Sequence, residues 1–563
     1  MKLEFSSFLG ANSDVSPELL PNNYAVEAVN VFTDSGSLNT WRSLKAVDGV
    51  WNTKSGEITS LFLMDNTRWL AWVGAKVDVA LVQKASNLDW EIIYTGTDKP
   101  RYTNRLLAVS GGGTAYPEVS FPIGIPVPTN VLVASASIKT SPANSVRINW
   151  TVAGTILDLI GDRIERSYVY TFVNDNGKEG APSPASNTVA TNDDEKVTLT
   201  NFPAVPQADI HKVRIYVAAS GGTYNYLKEV TLPATSVEIT DNEFGAALMT
   251  TLYSPPPDNM IGVVAMANGI LAAYAGNNIY FSEPYQSHAW PEDYIKAMDY
   301  PVKGLSAIGN MLYISTEGSP VIAIGNHPSF MSFTKLGAIP ANQADRSMVS
   351  MGVGAMYASR DGIVLMASGS AIMVSDGIIS ERVYQAMIPS SIHAYFYRDK
   401  YVGFYDSGLT GSIAAETDEV IPAKGAFILD PVRKTVTYLD ISCTAAFSDK
   451  VSGKLYLVQH NGGNNYLYEF NEGISNMPLA WKTKPVVTPP ASFTIAKVRA
   501  ERYPVTFELY AEDTLKYTKI VTSDATFRLP GGYRSREWQV RLSGDSIINN
   551  VALASSAVEL LSG

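Results

Sequence analysis

An all-β chain built from many short antiparallel strands is what this sequence predicts, on three observations. Long amphipathic helical patterns are nearly absent from its 563 residues. Short runs of period two, or wholly apolar, recur instead, separated by Gly, Asn, Asp, Ser and Pro. Aromatics make up 10% of the chain, with 30 Tyr, and Tyr, Val, Ile and Thr suit a pleated, half-buried surface. The length exceeds what one core supports, so two or more domains are expected.

Residues 1–57 read as an extended N-terminal arm. Ser16-Pro17-Glu18-Leu19-Leu20-Pro21 carries a proline at each end of its apolar pair, residues 24–32 suit a strand or a short helix, and Asp34-Ser35-Gly36-Ser37-Leu38 supplies a turn. Residues 58–125 resume strand pairs, as at 58–64 and 68–73 around the Asp65-Asn66 turn.

Residues 126–250 change character. After Pro126-Val127-Pro128, strands are expected at 145–150, 166–173, 196–200, 212–217, 226–230 and 236–241. This spacing fits one fibronectin type III-like β-sandwich domain. Ser254-Pro255-Pro256-Pro257-Asp258 is a stiff, extended exit that would hold an inserted domain at a fixed angle.

Residues 258–490 repeat one theme of strand, Gly/Asn/Asp turn, strand and often a third strand. The interval is roughly 40–50 residues, the period of β-propeller blades. A mixed array of sandwiches is the competing reading. Residues 491–563 are β-rich again and are expected to close the propeller, removing exposed edges.

The net charge of −11 and the lack of any Lys/Arg run beyond Arg433-Lys434 argue against specific DNA binding. They suit a wall past which a polyanion slides without adhering. The single cysteine, Cys443, permits no intrachain disulfide and reads as a buried small hydrophobe. Met1-Lys2-Leu3-Glu4-Phe5 lacks the apolar core of a signal peptide, and no stretch approaches the roughly 18 apolar residues of a membrane span. The chain is expected to be made in a cytoplasm and to work in solution or in an assembly.

His211, His288, His327, His393 and His460 are scattered without ligand spacing, so no metal site is assigned. Gly111-Gly112-Gly113 lacks the Lys-Ser/Thr of a phosphate loop, and no cofactor is expected. Residues 34–41 are faintly similar to the Asp-box turn of sialidase propellers, which is a fold element and occurs here once. His288, Trp290 and Glu292, bracketed by Pro284 and Pro291, tempt an active-site reading, but a rigid loop anchored by Trp290 is favoured. No catalytic residue is assigned.

The stretch from Asn277-Asn278-Ile279-Tyr280-Phe281-Ser282-Glu283-Pro284 through Trp290-Pro291-Glu292-Asp293-Tyr294 resembles one common in bacteriophage and prophage structural proteins. There it follows a fibronectin-like segment similar to Tyr168-Val169-Tyr170-Thr171-Phe172-Val173-Asn174-Asp175-Asn176-Gly177-Lys178. Tyr357-Ala358-Ser359-Arg360-Asp361-Gly362 and the N-terminal Leu-Pro, Asn-Val and Ser-Gly-Ser-Leu arrangement also match. The set resembles the tail nozzle or tail hub of short-tailed phages. That resemblance implies a β-propeller subunit of a homohexameric ring around the DNA exit channel, in the virion, below an adaptor or portal-proximal protein and beside fibre or spike proteins. Genomic DNA would pass its lumen unbound. A receptor- or glycan-binding tail protein is the alternative, and a propeller glycoside hydrolase, which needs two facing carboxylates, is a third.

Overall fold

The computed structural model describes residues 1–47, 53–65, 67–83, 90–138, 150–152, 155–157, 163–191, 195–240, 243–337, 339–367, 369–414 and 420–561. Among these residues the only α-helices are Glu381–Ala386 and Ala557–Leu561, and the chain is nearly all β, in many small sheets. The strand expected at 145–150 falls, except for Trp150, outside the described residues.

Among the described residues, seven of these sheets form a circuit. The first is the pair Ile58–Leu63 and Trp69–Val73. The second runs Asp78–Gln83, Trp90–Thr95, Arg101–Thr103 and Phe121–Pro122. The third begins at Ile261–Ala265, the fourth at Val302–Ile308 and the fifth at Val349–Ser350, each an antiparallel meander of four strands. The sixth begins at His393–Tyr397 and the seventh at Ala445–Asp449. The opening strands of the second to seventh sheets pack against one another in chain order, and that of the seventh packs on Ile58–Leu63. The amide of Val77 donates to Ser60 Oγ at 2.9 Å and joins the first sheet to the second.

Short turns make these meanders. Ala275 pairs with Asn278 across the two-residue loop Gly276-Asn277. Gly276 sits at φ 58°, which a primed hairpin turn requires and glycine adopts without steric cost. Between adjacent sheets, apolar side chains interleave in separate small cores, such as that of Ile270, Phe281, Leu312 and Ile314.

The N-terminal segment, read from sequence as an arm, is woven through three sheets. Lys2–Phe5 pairs with Ile548–Ala554, Ala25–Val29 lies between Thr435–Leu439 and Leu479–Thr483, and Lys45–Ala46 pairs with Asn464–Glu469. The choice between strand and helix at residues 24–32 resolves as two strands, Ala25–Val29 and Val31–Phe32. Asn30 separates them at φ 56°, its side chain donating to the Pro478 carbonyl and accepting from the Asp440 amide. The seventh sheet is therefore completed by Lys45–Ala46, where the sequence reading gave closure to residues 491–563. Those residues instead build a second β unit: Val505–Ala511 and Ser535–Gly544 form the far end of the ten-stranded sheet that His393–Tyr397 opens, which reaches them through Thr435–Leu439, Ala25–Val29 and Leu479–Thr483, and Ile495–Ala500 and Ile548–Ala554 lie in another sheet. Its core holds Trp481, Trp538 and Phe507, all at most 1% exposed.

Besides the strand pair Trp150–Val152 and Thr155–Leu157, chain order places two further sheets between the second and third of the circuit. One comprises Val133–Ile138, Glu195–Thr200 and Ser236–Ile239. The other runs Glu179–Pro182, Ile164–Asn174, Ile210–Ala219 and Asn225–Thr231, with Val189–Thr191 also on Ile164–Asn174. They share one apolar core that includes Tyr168, Tyr170, Phe172, Leu199 and Ile215, which makes them a sandwich.

Candidate functional site

Charged side chains gather at two places between the sheets: the junction of the sandwich with the circuit, where Glu91 and Asp209 are buried, and the axis around which the circuit runs, where Asp78 and Asp345 face a cavity. At the junction, the turn 174–178 projects Lys178 from the sandwich. Asn174 Oδ1 shapes that turn by accepting from the amides of Asn176 and Lys178, with Gly177 at φ 78°. Lys178 Nζ reaches Glu91 of the second sheet at 2.5 and 2.6 Å and Ser287 Oγ at 2.7 Å. Ser287 Oγ in turn donates to Glu91 Oε2 at 2.6 Å, and Glu91 is 2% exposed. A carboxylate so far from water is tolerable only because a cation and a hydroxyl face it.

The loop carrying Ser287 supplies two more ties. His288 Nε2 donates to the Glu179 carbonyl at 2.9 Å, while Nδ1 is buried with no hydrogen-bond partner. Burial and the adjacent Lys178 ammonium pull the imidazole down to about 4, so it is neutral at pH 7. Trp290 is 2% exposed, its Nε1 donating to the Ser287 carbonyl at 2.9 Å. Glu292 is exposed on the short turn Glu292–Tyr294. The sequence-singled trio therefore divides: His288 and Trp290 are packing and docking groups, and Glu292 is a surface carboxylate.

A second buried network stands beside the first. Tyr102 donates to Asp209 Oδ2 at 2.6 Å, Asn176 Nδ2 donates to the Tyr102 hydroxyl at 3.1 Å, and Gln207 Nε2 donates to Asp209 Oδ1 at 2.7 Å. The proline-bearing connections run side by side. A Cβ on Gly124 would lie 2.6 Å from Pro255 Cβ and 2.7 Å from Pro256 Cδ, and Lys99 pairs with Asp258 at 3.0 Å. Sandwich and circuit are thus keyed by polar groups that must all be matched together.

On the axis, the opening strands of six sheets line one cavity of about 260 Å³, among them Asp78, Gly262, Gly304, Ser350, Tyr395 and Ser448. Side chains cross it. Arg346, ahead of the fifth sheet, donates through Nη1 to Ser60 Oγ of the first at 2.6 Å. Lys76, ahead of the second, reaches Asp345 at 3.1 Å. Lys450 donates to the Ser350 carbonyl at 3.3 Å. Asp78 is open to the cavity yet surrounded by protein. That desolvation raises its carboxyl above the ordinary range against the pull of Arg346. Burial likewise pushes Tyr395 up to about 12 and, with Arg346 nearby, His393 down to about 4.

The remaining singled-out residues stay apart. His211 faces Asp175 at 3.1 Å on the sandwich, His327 accepts from the Ser329 amide and His460 contacts Asn465. Among the described residues, no three His, Cys, Asp or Glu side chains converge to hold a metal ion. Cys443 is 8% exposed in an apolar core. Asp34 of the Asp-box-like turn is engaged by Lys400 and Arg433 at 3.3 and 3.4 Å, so one member of the basic pair Arg433-Lys434 is matched by a carboxylate at the surface. Sequence reasoning missed Glu91, Lys178 and Arg346. The Asn-Asp-Asn-Gly-Lys turn at 174–178 is the one local signal that marked any of them.

No protein-family model matches the chain, and no curated protein matches its sequence. Among solved structures, the WD40 domain of Neurospora crassa Pan2 is similar at 7% identity, with 46% of this chain and 72% of that one covered, at a TM-score of 0.24. Citrobacter koseri AztD aligns at 10% identity over 68% and 98% of the two chains, with a TM-score of 0.23. An exo-beta-1,3-galactanase from Phanerochaete chrysosporium aligns at 7% identity over 89% and 100%, with a TM-score of 0.18. Likenesses this slight define neither fold family nor activity.

Proposed function

We propose that this chain is a rigid structural subunit of a short-tailed bacteriophage tail, of the nozzle or hub type, and that it assembles into a ring through which DNA leaves the virion. The observation that carries this reading is the closed circuit of seven sheets, which we read as a β-propeller sealed by Lys45–Ala46. The sandwich keyed to it fits a fibronectin type III-like insertion. Its two buried polar networks suit a domain presented at one angle.

The crossed axis bears on where DNA would run. A 260 Å³ cavity is no larger than a small-molecule pocket, and two residues that line it tie the circuit across, Arg346 to Ser60 and Asp345 to Lys76. A duplex cannot pass there, so the lumen would be walled by the outer faces of neighbouring subunits, six in the family this sequence resembles. A net charge of −11 would keep that wall from holding DNA.

Negative-stain microscopy and mass photometry of the purified protein test the reading. Closed rings with a central hole, together with no retention of duplex DNA at low salt, are expected. A monomer at every concentration, or tight DNA binding, would count against it.

A further inference from the structure

The outer face of the sandwich carries a cleft of about 420 Å³ between the strands Glu179–Pro182, Ile210–Ala219 and Asn225–Thr231 and the segment that leads out of the sandwich, residues 245–250. That segment is laid along the last of these strands by backbone bonds from Gly245 to Tyr226, Tyr226 to Ala246 and Leu248 to Tyr224. One wall is a charged row: Arg214 donates through Nη1 to Glu179 Oε2 at 2.8 Å and through Nε to Glu229 Oε2 at 3.2 Å. The Tyr216 hydroxyl donates to Glu179 Oε1 at 2.6 Å, and Lys212 donates to Glu229 Oε1 at 2.8 Å. The opposite wall holds Thr250, 8% exposed, whose hydroxyl is buried without a hydrogen-bond partner, and Met249, 81% exposed at the lip.

These features select a ligand chemistry. Arg214 on this wall and Lys212 beside it balance the two carboxylates, so a charged ligand gains little. What the wall offers is a dense alternation of acceptors and donors: Glu179 Oε1 is filled by Tyr216 and Thr171, but Glu179 Oε2 and both oxygens of Glu229 each accept a single side-chain bond and keep a lone pair for a ligand. A neutral polyol, whose hydroxyls both donate and accept, matches that alternation. Tyr226 and Met249 supply apolar contact for the C–H face of a ring, and Thr250 supplies a hydroxyl awaiting a partner. The volume lies within the range of small-molecule sites. We infer that this cleft binds a pyranose residue of a carbohydrate.

Binding rather than cleavage is the expected chemistry. Lys212, then Arg214, hold the Glu229 carboxyl below its ordinary range, so it stays ionised as an acceptor and is no general acid.

Saturation-transfer NMR of the full chain with methyl glycosides of glucose, galactose and N-acetylglucosamine tests the inference. Transfer from at least one glycoside is expected, weakened by roughly tenfold or more in Glu229→Gln and Thr250→Val. A soluble polysaccharide bearing the same residue forms the second arm. Binding of both probes marks a surface glycan as the source, and binding of the glycoside alone marks a free sugar. Absence of transfer from all three glycosides, or transfer unchanged in both variants, overturns the inference. Circular dichroism and ring formation of each variant report folding and assembly, so failure here is distinct from failure of the tail-ring reading.

Discussion

Replacing Lys178 by Met removes the ammonium that meets Glu91 at the sandwich junction while keeping most of the length of the side chain. Glu91 is 2% exposed and would retain Ser287 Oγ alone of the three contacts its carboxylate makes with Lys178 and Ser287. Stranding one partner of a buried pair costs about 3–5 kcal/mol. That cost falls on the opening of the junction, so exchange protection of the amides around Lys178 and His288 should drop by about two to three and a half orders of magnitude. Adding Glu91→Gln to Lys178→Met removes the orphaned charge and should recover most of the loss. Non-additivity of that kind is what coupled partners show. A single variant costing under about 1 kcal/mol, or a double variant costing the sum of the two singles, would refute the claim that this pair locks the sandwich in place.

Three further outcomes are expected. In Gly124→Ala the new Cβ would meet Pro255 and Pro256 at 2.6 and 2.7 Å, so calorimetry should find a loss of about 1–3 kcal/mol, with the sandwich transition moved to lower temperature. His288 titrates at about 4 in the fold, below its unfolded value of about 6.5, so the unfolded chain takes up the proton first. Its contribution is complete above about pH 6.5 and is lost as pH falls towards 4, by on the order of 3 kcal/mol, and His288→Gln, which keeps a donor for Glu179, should flatten that part of the melting-temperature profile. Trp481→Ala empties a fully buried site where the ring meets Phe8 edge-on at 4.8 Å and its Nε1 donates to the Leu9 carbonyl, so denaturant titration should show a loss of about 3–5 kcal/mol and proteolysis should free the N-terminal segment.

The all-β class was legible because alternation survives in the sequence wherever a sheet has one wet face. Val505–Ala511 buries every second residue, as its pattern of apolar and polar side chains requires. The weave of the N-terminal segment was not legible. Lys45–Ala46 is two exposed residues long and carries no strand signal, yet it completes a sheet because the edge of Asn464–Glu469 is open to it. Asn30 gave no warning either, since its left-handed backbone is fixed by Pro478 and Asp440, both more than 400 residues away. The same distance problem hid the junction. Glu91 and Lys178 lie 87 positions apart, and nothing near Glu91 in sequence announces a buried carboxylate. Arg346 shows the converse limit: a lone arginine between Asp345 and Ser347 looks like surface until six strands are folded around it. The helix Glu381–Ala386 was not legible in the sequence: six residues are too few for periodicity to register, although the Ser380 side chain caps the Val383 amide.

In the proposed function the scaffold's own axis is shut and the passage is made by association. A cryo-electron microscopy reconstruction of the assembled protein measures this directly. The expected map shows a ring whose hole is lined by the outer faces of several subunits, with density from Arg346 to Ser60 crossing the centre of each seven-sheet circuit. A map with a duplex-wide bore through the circuit itself, or with the seven sheets laid out as an open row, would contradict it.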